Sequence, residues 1–419
     1  MFRTSFLGFG LQRSMKLLAV VASVCGAGVF GGACTVNNAP ATVDAGPVAP
    51  GTDGGTDAPP GSAGPLGFTP SNVDLSGIDL TKVGDFVVDA VACSVNTDNN
   101  LASCGDGAGV LAFKLVTQSD GSKVAVYVAK SMTILAGKDL QIEGSHPLVF
   151  IALDTITING SLNGNSHEEV GIAGGFSRQS MQGRSKGAGP GGGGAGTDTT
   201  ASGGGSYCGI GGAGGAESGP AAGGTAYGSP QITPLVAGSA GGDIGGAGGG
   251  AIQLVAGTSI TIAAGGLIQA GAGGGGFGGI RTQNALGGGS GGSILLESLA
   301  VTVAGTLAAN GGGGGAGTSI DVGAPPPKDP GGANSTPNAT PAAGGRQGIG
   351  PSSGGNGSAG AAVNGTAGAF TATDNNAAGG GGGGAGRIRI NTKSAAAALT
   401  GATISPATST PCATEGKVQ

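Results

Sequence analysis

The chain has 419 residues, 98 of them glycine and 21 proline, with no tryptophan, 3% aromatic residues and a formal charge of −5. So few aromatics exclude a thick core, and an acidic chain with scattered basic residues (Arg178, Arg184, Lys186, Arg281) is a poor nucleic-acid binder. The glycine content by itself suggests low complexity, but the apolar residues follow a period that a disordered chain does not keep.

Residues 1–33 read as a signal peptide. Arg3, Arg13 and Lys16 are its only charges, and Leu17 to Phe30 is apolar but too short to span a bilayer comfortably. It ends in Gly31-Gly32-Ala33-Cys34, which resembles a bacterial lipobox and makes Cys34 the expected lipidation site; Gly31 stands where such a box usually has Leu or Val. Ordinary signal cleavage with Cys34 unmodified is the alternative. Residues 34–66 then form a lipidated N-terminus and a linker of Ala, Pro, Gly, Thr and Asp, with too little apolar bulk to offset the entropy of ordering it.

Residues 67–109 have ordinary charge density and apolar positions at Val73, Leu75, Leu80, Phe86, Val87 and Val88. They are expected to cap the first strands of the fold that follows. Cys93 and Cys104 lie a short loop apart, and in an exported chain that spacing predicts a disulfide.

Residues 110–419 carry the repeating pattern. Apolar-x-apolar triplets recur at Met132/Ile134, Leu140/Ile142, Val149/Ile151 and Ile156/Ile158, followed by Leu162. They return as Ile252/Leu254, Ile260/Ile262 and Leu267, and again as Ile294/Leu296, Val301/Val303 and Leu307. A period of two places such residues on one face of a strand. Ile134 to Ile158, and likewise Val126 to Phe150, predict a repeat of about 24 residues, the scale of a stacked solenoid unit. The expected fold is therefore all-β: a single-stranded parallel β-helix. Glycine blocks between the units (171–250, 271–292, 311–317, 344–386) read as long loop insertions, which closure entropy tolerates at about 0.6 kcal/mol per doubling of length. A glycine-rich bundle of polyglycine-II-like helices, in place of the β-helix, is the alternative fold. It predicts a period of three, which the sequence shows only intermittently.

Chemistry-bearing motifs are sparse. GxGxxG matches are inevitable at this glycine density, and none links a strand to a helix with an acidic residue beyond it, so no cofactor is expected. His146 and His167 are the only histidines, and His167-Glu168-Glu169 lacks the second histidine of a zinc helix, so no metal is expected. Hydrolases and lyases on β-helices need clustered carboxylates. Glu143, Asp154 and Glu297 are isolated, while Asp321 and Asp329 fall in a Pro/Gly segment. No catalytic residue is assigned. A carbohydrate-active enzyme of polysaccharide lyase or hydrolase type is the competing reading.

Ala33-Cys34, the linker, IQLVAGTSITI, ILLESLAVTV and GGGGAGRIRIN together resemble the glycine-rich, adhesin-like β-helix lipoproteins of Gram-negative, myxobacterial type. The resemblance implies a non-enzymatic structural or adhesive protein at the outer membrane or cell surface. It would be held there by an N-terminal lipid, with cell-surface or extracellular polysaccharide as a partner, or else be secreted.

Overall fold

The computed structural model describes residues 64–104, 111–167, 170–177, 184–277, 284–317, 331–346, 352–372 and 378–419. Cys34, the leader and most of the linker lie outside them. The described residues form seventeen strands and no helix.

The strands follow a recurring three-step path. The first step is taken by β5 (Lys123–Ala129), β8 (Leu148–Ala152), the first halves of β11 (Ala251–Ile262) and β13 (Ser293–Val303), β15 (Arg387–Thr392) and β17 (Ala413–Lys417). The second step is taken by β1 (Asp85–Val88), β6 (Ser131–Ile134), β9 (Thr155–Ile158) and the second halves of β11 and β13. These strands, with β4 (Ala112–Thr117), make one ten-stranded sheet. The third step forms a seven-stranded sheet of β2 (Cys93–Asn96), β3 (Leu101–Ser103), β7 (Asp139–Glu143), β10 (Ser161–Asn163), β12 (Leu267–Gln269), β14 (Thr306–Ala308) and β16 (Thr403–Ser405). Every pairing is parallel except β2 with β3 and β4 with β5.

Parallel pairing in register stacks like on like. Leu148, Ile252, Ile294 and Ile388 form one column, and Ile156, Ile260 and Val301 another. On the facing sheet Leu140, Leu162, Ile268, Leu307 and Ile404 line up. These columns meet in one core between the sheets, where each buried Ile or Leu contributes roughly 1.5–3 kcal/mol. Ile134 pairs with Ile158, as the 24-residue spacing predicts.

Two registers differ from expectation by one residue. Val126 pairs with Val149, not Phe150, and Ile268 rather than Leu267 points into the core. A slip of one residue exchanges the two faces of a strand. Tyr127 and Phe150 therefore lie inside, while Val124, Val126, Val128, Val149 and Ile151 face the other way. That second face is also buried, so alternation there is apolar on both sides and periodicity does not show which side is inner. It is covered by a strap running from Leu66 to Val83, which places Leu66, Phe68, Val73, Leu75, Ile78 and Leu80 on it.

Among the described residues the glycine runs are not free loops: much of their length is buried, and their backbone hydrogen bonds run between segments distant in sequence. In 379–386, Gly379, Gly382 and Ala385 donate to Ala369, Thr366 and Val363; Gly380, Gly383 and Gly386 donate to Gly315, Gly312 and Ala309; Gly381 and Gly384 donate to Ser202 and Gly205. Successive amides thus serve three different neighbours, and each neighbour recurs at every third residue. Three residues per turn with no internal hydrogen bonds describe a polyproline-II-type segment. The same run accepts bonds from Gly288 and Gly291, from Gly212 and Gly215, and from Gly355. The period of three lies in the hydrogen bonds and not in the spelling of the sequence, because Ala and Ser stand at lattice positions as well. The runs continue directly from strands: Gly164 follows β10, Ala270 follows β12, Ala309 follows β14, and Gly250, Gly292 and Gly386 lead into β11, β13 and β15.

Candidate functional surfaces

The chemically reactive residues do not assemble into a catalytic arrangement among the described residues. His146 Nδ1 lies 2.8 Å from Asp98 Oδ1, and Ser145 Oγ donates to the same oxygen at 2.7 Å. In a nucleophilic triad the serine would donate to the imidazole; here both groups converge on the carboxylate, which fixes the 144–147 turn against Asp98. Burial works against the Asp98 charge, but the bonds from Ser145 and His146 outweigh it and hold the carboxyl below its ordinary range. His167 is exposed, and its neighbours Glu168 and Glu169 lie outside the described residues, as do Asp321 and Asp329. Glu143 ends β7 in one sheet, Asp154 sits in the turn after β8 in the other, and Glu297 is buried in β13. No group of three His, Cys, Asp or Glu side chains is placed to hold a metal among the described residues.

One uncovered face is regular. Thr133, Thr157, Thr261 and Thr302 stand in register across β6, β9, β11 and β13. Beside them run Thr155, Ser259 and Ala300. Strand spacing sets the rungs about 4.8 Å apart, and β-branching holds the threonine rotamers stiff. None of these hydroxyls has a protein hydrogen-bond partner among the described residues. Serines elsewhere are mostly engaged, as Ser202, Ser206, Ser239 and Ser293 are within the glycine bundle and at its border.

The strap is clasped through a buried carboxylate. Glu297 is 1% exposed and accepts from the Ser71 amide at 2.9 Å, Ser71 Oγ at 2.7 Å, Gln253 Nε2 at 2.7 Å and Asn391 Nδ2 at 3.0 Å. Register brings the partners together: Glu297 pairs with Asn391 across β13 and β15, and with Val255 in β11, two residues beyond Gln253. Both amides are locked in orientation. Asn72 donates to Gln253 Oε1 while Gln253 Nε2 also reaches the Ser71 carbonyl, and Arg389 Nε donates to Asn391 Oδ1 at 2.8 Å. Burial lowers the Arg389 pKa, opposed by the negative Glu297.

Where the glycine bundle meets the ten-stranded sheet, the Tyr207 and Tyr227 rings pack 4.6 Å apart and the Arg387 guanidinium lies 5.5 Å from the Tyr207 centroid. Arg387 also donates to the carbonyls of Tyr227 and Gly228. Next to Tyr207, Cys208 stands at disulfide distance from Cys412, with Cα atoms 5.7 Å apart and 204 residues between them in sequence. The glycine bundle holds Cys208, whose amide donates to the Ala385 carbonyl. Cys93 and Cys104 also lie at disulfide distance, with Cα atoms 4.4 Å apart.

The Glu297 clasp joins residues as much as 226 positions apart, and no local motif marks it. A charged residue on the strap-facing side of ILLES, the side of Leu295, is its trace in sequence. No family model, no curated protein and no solved structure matches the chain.

Proposed function

We propose that the chain is a parallel β-helix in which glycine runs replace one side of the coil, and that it serves as a structural or adhesive protein at the cell surface. Stacking of three strand steps in register, pass after pass, supports the β-helix. The signal-like leader, Cys34 and the linker support an exported, lipid-anchored protein at the outer membrane. The hydroxyl ladder on β6, β9, β11 and β13 carries the adhesive reading. It is rigid, itself uncharged, and offers hydroxyl donors and acceptors with no internal partner, which suits the hydroxyl-rich surface of an extracellular polysaccharide.

The test is sedimentation of the mature protein with insoluble cell-surface polysaccharide. Replacing Thr157 and Thr261 together by lysine lowers the affinity about tenfold or more, equivalent to about 1.4 kcal/mol, and leaves the melting temperature in place. Unchanged binding would reject the ladder as the contact face. Palmitate-analogue labelling that is lost in Cys34→Ser tests the anchor.

A further inference from the structure

The geometry points to a binding site for a small aliphatic monoamine in the C-terminal end of the coil. Register shows why that end is hollow. In the first step, Leu148, Ile252, Ile294 and Ile388 stand in one inward column, and Phe150, Leu254, Leu296 and Ile390 in the next. β17 adds the last rung, and it sets Ala413 beside Ile388 and Glu415 beside Ile390. A methyl group and a carboxylate thus stand where every earlier rung of these columns has a large apolar side chain. The facing sheet does not make up the volume, because its own column stops at Ile404 in β16. What remains is a cavity of about 260 Å³ walled by Ile388, Ile390, Leu399, Ile404 and Ala413. An apolar cavity of about 150 Å³ binds benzene, so this one has room for about ten non-hydrogen atoms.

Depth and polarity run together in it. Ile388 and Ile390 are buried at the floor, Leu399 and Ile404 are half-buried, and Thr408 and Glu415 are exposed at the mouth. Glu415 Oε1 accepts from the Ala397 amide at 3.1 Å, which steadies the carboxylate, and Oε2 has no protein partner among the described residues. No lysine or arginine makes an ion pair with Glu415 among those residues, including Lys417 two positions along the strand. A ligand that fits has an apolar body for the floor and a cationic donor for the mouth. A carboxylate head would meet Glu415 as a like charge. The second ammonium of a diamine would be pressed into the apolar floor, where an unpaired charge is costly. A primary monoamine meets both demands, and its ammonium makes the stronger, charge-assisted class of hydrogen bond with a carboxylate.

Isothermal titration calorimetry of the full mature chain at neutral pH tests the site, with n-hexylamine, hexan-1-ol and hexanoate as probes. The amine, protonated at this pH, is expected to bind with a Kd below about 1 mM. Hexan-1-ol binds about tenfold more weakly for want of the charge, and hexanoate shows no saturable binding. Glu415→Gln, a change at the exposed mouth, lowers the amine's affinity to that of the alcohol and leaves the alcohol's as it was. Ala413→Leu fills the cavity and abolishes binding of both; if that variant does not fold, Glu415→Gln decides the matter. No saturable binding of n-hexylamine to the wild type would overturn the site, and so would binding that survives in a folded Ala413→Leu variant. Equal affinity for amine and alcohol, or amine binding unchanged in Glu415→Gln, would overturn the assignment of an amine as the ligand.

Discussion

Gly383 donates its amide hydrogen to the carbonyl of Gly312 at 2.8 Å, and on its other side a Cβ would overlap the carbonyl of Gly289. The glycine is therefore required by space, since its backbone is not in the left-handed region. Gly383→Ala is expected to destabilise by about 3 kcal/mol, as overpacking of a rigid interior does. Gly331, where a Cβ meets nothing closer than 3.9 Å, is the control: Gly331→Ala stays within about 0.5 kcal/mol. Chemical denaturation of the two variants compares them directly.

Truncating Ile260 to alanine is expected to cost about 2–5 kcal/mol, because it leaves a cavity between Ile156 and Val301 in a column with little freedom to collapse. Deleting residues 332–335 is expected to cost as much, against the closure argument for a loop. The deletion removes the Gly332, Ala333 and Ser335 bonds to Gly275, Ala343 and Ala272, as well as the Asn334 acceptor of the Gly274 amide. A deletion variant that melts with the wild type would show that this part of the bundle carries no stability.

The two cysteine pairs differ in the length of chain they close. By the chain-entropy model, the pair separated by 204 residues contributes about 5 kcal/mol and the pair separated by 11 about 3 kcal/mol. Cys412→Ser is therefore expected to lower the melting temperature more than Cys104→Ser. The reverse order would show that the bundle holds the C-terminal strands without the cross-link.

Alkali should unfold the protein through its tyrosines. Burial pushes Tyr127 up to about 12, and burial also raises Tyr207 and Tyr227. A folded-state value above the unfolded value of about 10 means that the folded state holds its proton longer. The stabilisation is thus complete below about pH 10 and is lost as pH rises from there to about 12. Tyr127→Phe should lessen this alkaline sensitivity. At neutral pH it should cost about 1–3 kcal/mol, because the Asn96 and Asn99 carbonyls lose their donor. Denaturant midpoints measured across this pH range read both effects.

The inward triplets were legible because one face of each strand sits against a core: Ile252, Leu254, Ile260, Ile262, Ile294, Leu296, Val301 and Val303 all point there. Legibility failed where both faces are apolar, as at Val126 beside Tyr127, since burial under the strap removes the polar half of the pattern. It failed again in the bundle. A glycine run carries no side-chain signal, and the information sits in which distant carbonyl each amide meets. Glu297 looked isolated because the residues that bind it come from the strap, β11 and β15.

The threefold turn of the buried runs also sets a rule for how their length can change. Adding one residue to 379–386 would rotate every later amide by about a third of a turn, so donors meant for 309–315 would face 202–205 instead. Adding three would advance the run by one lattice step and return each amide to its own neighbour. Insertions and deletions inside the bundle are therefore expected to survive in multiples of three, a reading frame imposed by geometry on the folded chain.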